Sequence, residues 1–167
     1  MFKKFLLEIA FCCGLIGVSM GSEISGGREL YFKGANGKSE FEKMSVEEIE
    51  KKTSITFEEM TIDINSGKKI QDLLKKMRLD SFTLKKCTLD KCDFFVILPM
   101  GIDLTHINII GCDISVQDVR DILYIVYPYN LASVDFSDNN DINCNVGWFN
   151  DVISDFEASF PLNSIRI

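Results

Sequence analysis

Histidine is nearly missing from this sequence, His106 being the only one, so a multi-histidine metal centre cannot be assembled and a histidine-dependent hydrolytic site has a single choice of base. No CxxC occurs after residue 22, which leaves no zinc knuckle or dithiol redox motif in that stretch. No glycine-rich phosphate loop and no glycosidase-type acid pair stands out. Bases are in deficit, with 18 Lys and Arg against 25 Asp and Glu, and they cluster on no segment; that argues against nucleic acid as a partner, since phosphate contacts need concentrated positive charge. Nothing implies a cofactor or a small-molecule substrate. The longest mostly apolar run, Phe5 to Val18, contains Glu8 and falls short of the roughly 20 residues that a membrane-spanning helix needs.

What is present is ample hydrophobic content, 46% of 167 residues, enough for one domain with an ordinary core. Met1 to about Ser22 stands apart, with Lys3 and Lys4 ahead of the apolar run and Ser19-Met20-Gly21 supplying small residues for cleavage. Residues 1–22 therefore read as a signal peptide, and the protein as secreted or exported. The alternative is an anchor, with membrane contact only if residues 5–18 are retained. A lipoprotein start is disfavoured because Phe11, not a small residue, precedes Cys12. Cleavage removes two lysines and one glutamate, so the acidic balance survives, and it leaves Cys87, Cys92, Cys112 and Cys144, for which three pairings exist.

Residues 23–44 carry Gly26, Gly27, Gly34 and Gly37 and read as a flexible linker. Ser45 and Glu48 have capping-box spacing ahead of a polar run, so residues 45–56 are expected to form a short N-terminal capping helix.

From Phe57 on, the chain repeats itself. Phe57-x-x-Met60-x-Ile62-x-x-Asn65, Leu79-x-x-Phe82-x-Leu84-x-x-Cys87, Leu104-x-x-Ile107-x-Ile109-x-x-Cys112 and Leu131-x-x-Val134-x-Phe136-x-x-Asn139 align without gaps, and Leu162-x-x-Ile165-x-Ile167 begins a fifth. The interval from one start to the next lengthens steadily along the chain, the last being the longest. Offsets 3 and 5 alternate as a strand does and point inward. At offset 8 the chain must turn, and an Asn amide or Cys thiol there can satisfy buried backbone groups, which makes Asn65, Cys87, Cys112 and Asn139 structural turn residues.

Between these strands, Ile70, Leu73, Leu74 and Met77 form the apolar stripe of an amphipathic helix, as do Val119, Ile122, Leu123 and Val126 behind the N-cap candidate Ser115, and Phe149, Val152, Ile153 and Phe156. Cys92 to Ile102 lacks that spacing, and Pro99 follows its apolar residues closely, so an irregular or one-turn connection is expected there.

Strand, Asn/Cys turn and helix in units of about 25 residues resemble the leucine-rich-repeat family, in its ribonuclease-inhibitor-like or cysteine-containing forms. The segment Leu104-Thr-His-Ile-Asn-Ile-Ile-Gly-Cys carries the resemblance best. It implies an α/β fold: a short solenoid of four to five coils over residues 57–167, parallel strands on one side and helices on the other, gripping a partner protein without catalysing a reaction. On that register the outward strand residues available to a partner are Thr61, Asp63, Thr83, Lys85, His106, Asn108, Asp135 and Ser137, with Thr61, Thr83, Asn108, Asp135 and Arg166 in one row. The row is poor in aromatic anchors, so a second candidate patch is Tyr124, Tyr127, Tyr129 and Trp148.

His106, between Ser81 and Ser133 on neighbouring rungs, admits a secreted hydrolase as the rival reading, although no carboxylate is placed to orient it. The oxygen-rich Asp135 to Asp141 lacks the alternation and the Gly of a calcium loop, so no metal site is expected.

Overall fold

The computed structural model describes residues 28–44, 52–126, 130–160 and 162–167. Its frame is a six-stranded, wholly parallel sheet in which the strands lie side by side in chain order. These are β1 (Glu29–Lys33), β2 (Ser54–Glu58), β4 (Ser81–Lys85), β6 (His106–Ile110), β7 (Ser133–Asp135) and β8 (Ser164–Arg166). Two short strands, β3 (Thr61–Asp63) and β5 (Thr88–Asp90), make a separate parallel pair. Helices α1 (Gly34–Lys43), α2 (Ile64–Leu74), α3 (Phe94–Ile97), α4 (Val116–Ile125), α5 (Asn140–Cys144) and α6 (Val146–Glu157) fill the connections. The protein is thus α/β, and α2 packs on α3, α3 on α4 and α4 on α6.

Alternation along each strand decides what the sheet buries. Leu30, Ile55, Phe82, Ile107, Val134 and Ile165 pair across the six strands, and Phe32, Phe57, Leu84 and Ile109 pair across the first four, with Phe136 just past β7. All but Ile165 are at most 2% exposed. Each such side chain contributes about 1.5–3 kcal/mol of burial. At the β1 end the interior is aromatic: Phe32 stacks on Phe57 at 5.4 Å between centroids, and Phe41 of α1 meets Phe57 edge-on at 5.1 Å.

The helices begin where the capping chemistry directs. Asp63 Oδ1 accepts the Ser66 N–H at 2.8 Å and starts α2; Ser115 and Asp118 close a reciprocal capping box on α4. The Cys92 to Ile102 connection contains only the four-residue α3, started by Asp93 and ended ahead of Pro99.

Each of the first five main strands is followed by a residue with left-handed backbone: Gly34, Glu59, Lys86, Gly111 and Asp138, with φ between +51° and +62°. That kink aims an N–H sideways, so Glu59 N donates to Lys85 O at 2.9 Å, Lys86 N to Ile110 O at 2.7 Å and Gly111 N to Ser137 O at 3.0 Å. After Lys86, Gly111 and Asp138 the very next residue is the turn residue. Asn139, fully buried, accepts from Cys112 N at 2.8 Å and donates to Ile109 O and Phe136 O, both at 2.7 Å. Cys112 Sγ in turn accepts from Cys87 N at 3.3 Å, and Cys87 Sγ donates to Phe57 O at 3.3 Å. Each turn side chain therefore bonds the backbone of the unit before its own.

Three expectations need correction. The first strand of the expected array lies five residues earlier than Phe57-x-x-Met60-x-Ile62 suggests: Ile55 and Phe57, not Met60 and Ile62, pair with Phe82 and Leu84. Both pairs have strand spacing, and β2 wins because five residues of it ladder with neighbours on both sides. Met60 consequently stands where Cys87 stands one unit later, while Asn65 is exposed in the first turn of α2, and Thr61 and Asp63 belong to β3.

Residues 28–44, expected within a linker, form β1 and α1. Their glycines are steric requirements: Gly34 has φ +62°, and a Cβ on Gly37 would come within 2.8 Å of the Phe32 carbonyl carbon. Of the expected capping helix over residues 45–56, residues 54–56 belong to β2 and residues 45–51 lie outside the described residues, as do residues 1–22.

Replacing Asn139 by Ala strips three buried backbone groups of their partner and should cost about 3 kcal/mol in chemical denaturation. Asn139→Cys, which restores the thiol found at Cys112 and Cys87, should cost clearly less; equal losses would mean that the amide bonds are not what matters. The left-handed turns make a second, opposite-signed pair: Gly111→Ala should lower stability and Lys86→Gly raise it, each by on the order of 1 kcal/mol.

Candidate functional site

The outward side chains of the six strands form three lanes that cross the sheet, with rungs about 4.8 Å apart. The first is Glu29, Ser54, Ser81, His106, Ser133 and Ser164. The second is Tyr31, Thr56, Thr83, Asn108, Asp135 and Arg166. The third begins Lys33, Glu58, Lys85 and Ile110. Nearly all are half-buried or exposed, while their inward neighbours are closed off.

Of the residues expected on this face, Thr83, Lys85, His106, Asn108 and Asp135 lie on it, and Ser137 follows β7 half-buried. Thr61 and Asp63 do not; Thr56 and Glu58, five residues earlier, occupy their expected places, and Tyr31 extends the face onto β1. Cross-strand bonds tie the array together. Asn108 Nδ2 donates to Thr83 Oγ1 at 3.0 Å, Thr56 Oγ1 donates to Glu29 Oε1 at 3.1 Å, and His106 Nδ1 meets Ser133 Oγ at 2.6 Å. Among the described residues no carboxylate hydrogen-bonds the imidazole, so a Ser-His-acid relay is not assembled.

The one buried carboxylate among the described residues is Glu58, 7% exposed on the β1 side of the sheet. The Tyr31 hydroxyl donates to its Oε2, Lys33 Nζ reaches its Oε1 at 3.2 Å, and Lys85 Nζ lies 3.5 Å from the same oxygen. The Tyr31 hydrogen bond leads in holding the Glu58 carboxyl below its ordinary value, with the two lysines adding to it. Burial, then the bond to Glu58, pushes the Tyr31 phenol up to about 12. Sequence reading missed this cluster because β1 was assigned to a linker; the alternation Leu30-Tyr31-Phe32-Lys33 was the available signal.

The turn residues Cys87, Cys112 and Asn139 are buried. Cys87, Cys92, Cys112 and Cys144 are free thiols, and the neighbouring Cys87 thiol together with burial pushes the Cys112 thiol well above the usual thiol range, against the opposing pull of the Cys87 N–H. No group of three metal-ligating side chains occurs among the described residues. In the aromatic patch, Tyr124 is 71% and Trp148 45% exposed; Tyr127 and Tyr129 lie outside the described residues.

No protein-family model, curated protein or solved structure matches this chain.

Tyr31→Phe removes a hydrogen bond to a charged acceptor and should cost about 1.5 kcal/mol at pH 7. Because the folded state lowers the Glu58 pKa, its share of that stability is complete above 4.5 and fades as pH falls; because the folded state raises the Tyr31 pKa, its share is complete below 10.0 and fades as pH climbs towards about 12. Denaturation midpoints of the two proteins should thus differ by a constant amount between those limits and converge outside them. A difference independent of pH would refute the assignment.

Proposed function

We propose that this protein is an exported, non-catalytic binding module: a leucine-rich-repeat-like solenoid whose parallel strand face holds another protein. The observation that carries the reading is the in-register array itself. Six strands in chain order bury one side, fully from β1 to β7 and partly at β8, and present the other as a continuous, cross-bonded polar surface. The equivalent interior positions Leu30, Ile55, Phe82, Ile107, Val134 and Ile165 recur at nearly even intervals, and a left-handed residue follows each of the first five strands of the main sheet, which suits a stack in which every unit covers the next.

The strand face has the make-up of an interface with one anchored end. Tyr31, fixed by Glu58 between Lys33 and Lys85, is the kind of preorganised aromatic and charged group on which binding energy concentrates. Thr56, Thr83 and Asn108 continue the surface as a polar lane suited to hydrogen bonding. Among the described residues the His106 imidazole hydrogen-bonds only the Ser133 hydroxyl, which gives hydrolysis no support. Export rests on the Lys3-Lys4 start and the apolar run to Val18, and the membrane-anchored structural protein is the alternative that retention of that run would favour.

A photoreactive residue at Ser81, on the strand face, should crosslink a partner from an extracellular extract, and the same residue at Gln117 on α4 should not crosslink that partner. Asn108→Arg should weaken its capture at least about tenfold, the loss expected when a central contact is replaced by a clash. Capture that ignores Asn108→Arg, or that is stronger from Gln117, would overturn the proposal.

A further inference from the structure

The helix layer carries a second surface that the strand-face reading leaves unused. Between α4 and α6 runs a groove of about 380 Å³. Leu123, Val126 and Val152 form its buried floor, and Phe156 and Phe160, with ring centroids 5.5 Å apart, stand along it half-buried. Tyr124 lines the same groove with 71% of its surface exposed, beside Arg120 and Asp155. An apolar trough with an exposed tyrosine is an anchor-bearing interface in miniature.

The lining itself carries one charge of each sign, Arg120 and Asp155, but the helices and the chain segment that build it are acidic. Residues 101–167 contain ten Asp and Glu, no lysine, and only Arg120 and Arg166, whereas the first hundred residues hold sixteen bases against fifteen acids. Residues 101–167 thus carry −8 and the first hundred +1, so the acidic excess lies in the part of the chain that contains the groove's helices. The two flanking helices alone bring Asp118, Asp121, Asp151, Asp155 and Glu157 against Arg120.

We propose that the groove between α4 and α6 receives an amphipathic helix of a partner protein, apolar along one stripe and lined with lysine or arginine beside it. A trough between two helices accepts the i, i+3, i+4, i+7 stripe of a third, and the acidic flanks select positive charge over negative and speed the encounter. This site faces away from the strand lanes, so it adds a second contact to the molecule and stands or falls independently of the first.

The test uses the full chain and a fluorescein-labelled synthetic helix of leucine and lysine at amphipathic spacing, with a leucine and glutamate helix as control. The lysine helix should bind and the glutamate helix should not. Hydrogen exchange should slow at residues 119–126 and 152–160. Tyr124→Ala and Asp155→Lys, both at exposed positions and so without cost to the fold, should each weaken binding about fivefold or more. Unchanged affinity in both variants would mean that the acidic surface attracts the peptide without using the groove. Protection elsewhere on the chain, or groove amides already protected in the free protein by its own residues 1–27 with no peptide bound, would equally overturn the proposal.

Discussion

Everything in this molecule depends on how a parallel sheet satisfies its backbone where the chain leaves each strand. At that bend the next strand's edge and the turn's own amides face the interior, where an unpaired N–H or C=O would cost about 1–3 kcal/mol. Asn139, Cys112 and Cys87 close these gaps one after another, each bonding backwards to the preceding unit. The left-handed residue just upstream makes the geometry reachable, passing an N–H sideways to the following strand. With both devices in place, neighbouring strands are held in one register and the aliphatic side chains must stack.

That register converts burial into a surface. Because inward and outward side chains alternate, fixing Phe82 opposite Ile107 also fixes Thr83 opposite Asn108, and core packing and lane order are one constraint seen from two sides. The buried Glu58 illustrates the same coupling. It is tolerated on the outward side only because β1 and β4, the strands on either side, bring Tyr31, Lys33 and Lys85 to it. The helix layer answers to looser rules, and the α4–α6 groove is where two amphipathic stripes leave apolar surface over.

Much was legible in the residues themselves. The alternation at Phe82 and Leu84, Ile107 and Ile109, and Val134 and Phe136, with Cys or Asn three places later, located β4, β6 and β7 and their turns; Ser115 marked the start of α4. The β1–β2 side was not, for two physical reasons. Ile55/Phe57 and Met60/Ile62 satisfy the same two-residue period, so local pattern gives no preference between them. Gly34 and Gly37 look alike to composition whether a glycine supplies freedom or makes room, and here one takes a left-handed turn and the other lets α1 approach Phe32.

The sequence by itself determined which residues alternate, that α4 is capped at Ser115, that one strand-and-turn pattern recurs along the chain and that its excess charge is acidic. These are properties of short stretches, carried by side-chain size and hydrogen-bonding capacity. Tertiary structure alone decided which of two equally periodic strands joins the sheet and that a tyrosine and two lysines converge on Glu58. It also decided that the two helices leave a trough between them. Those outcomes depend on pairing between segments far apart in the chain, where the energy lies in what a side chain meets and not in what it is.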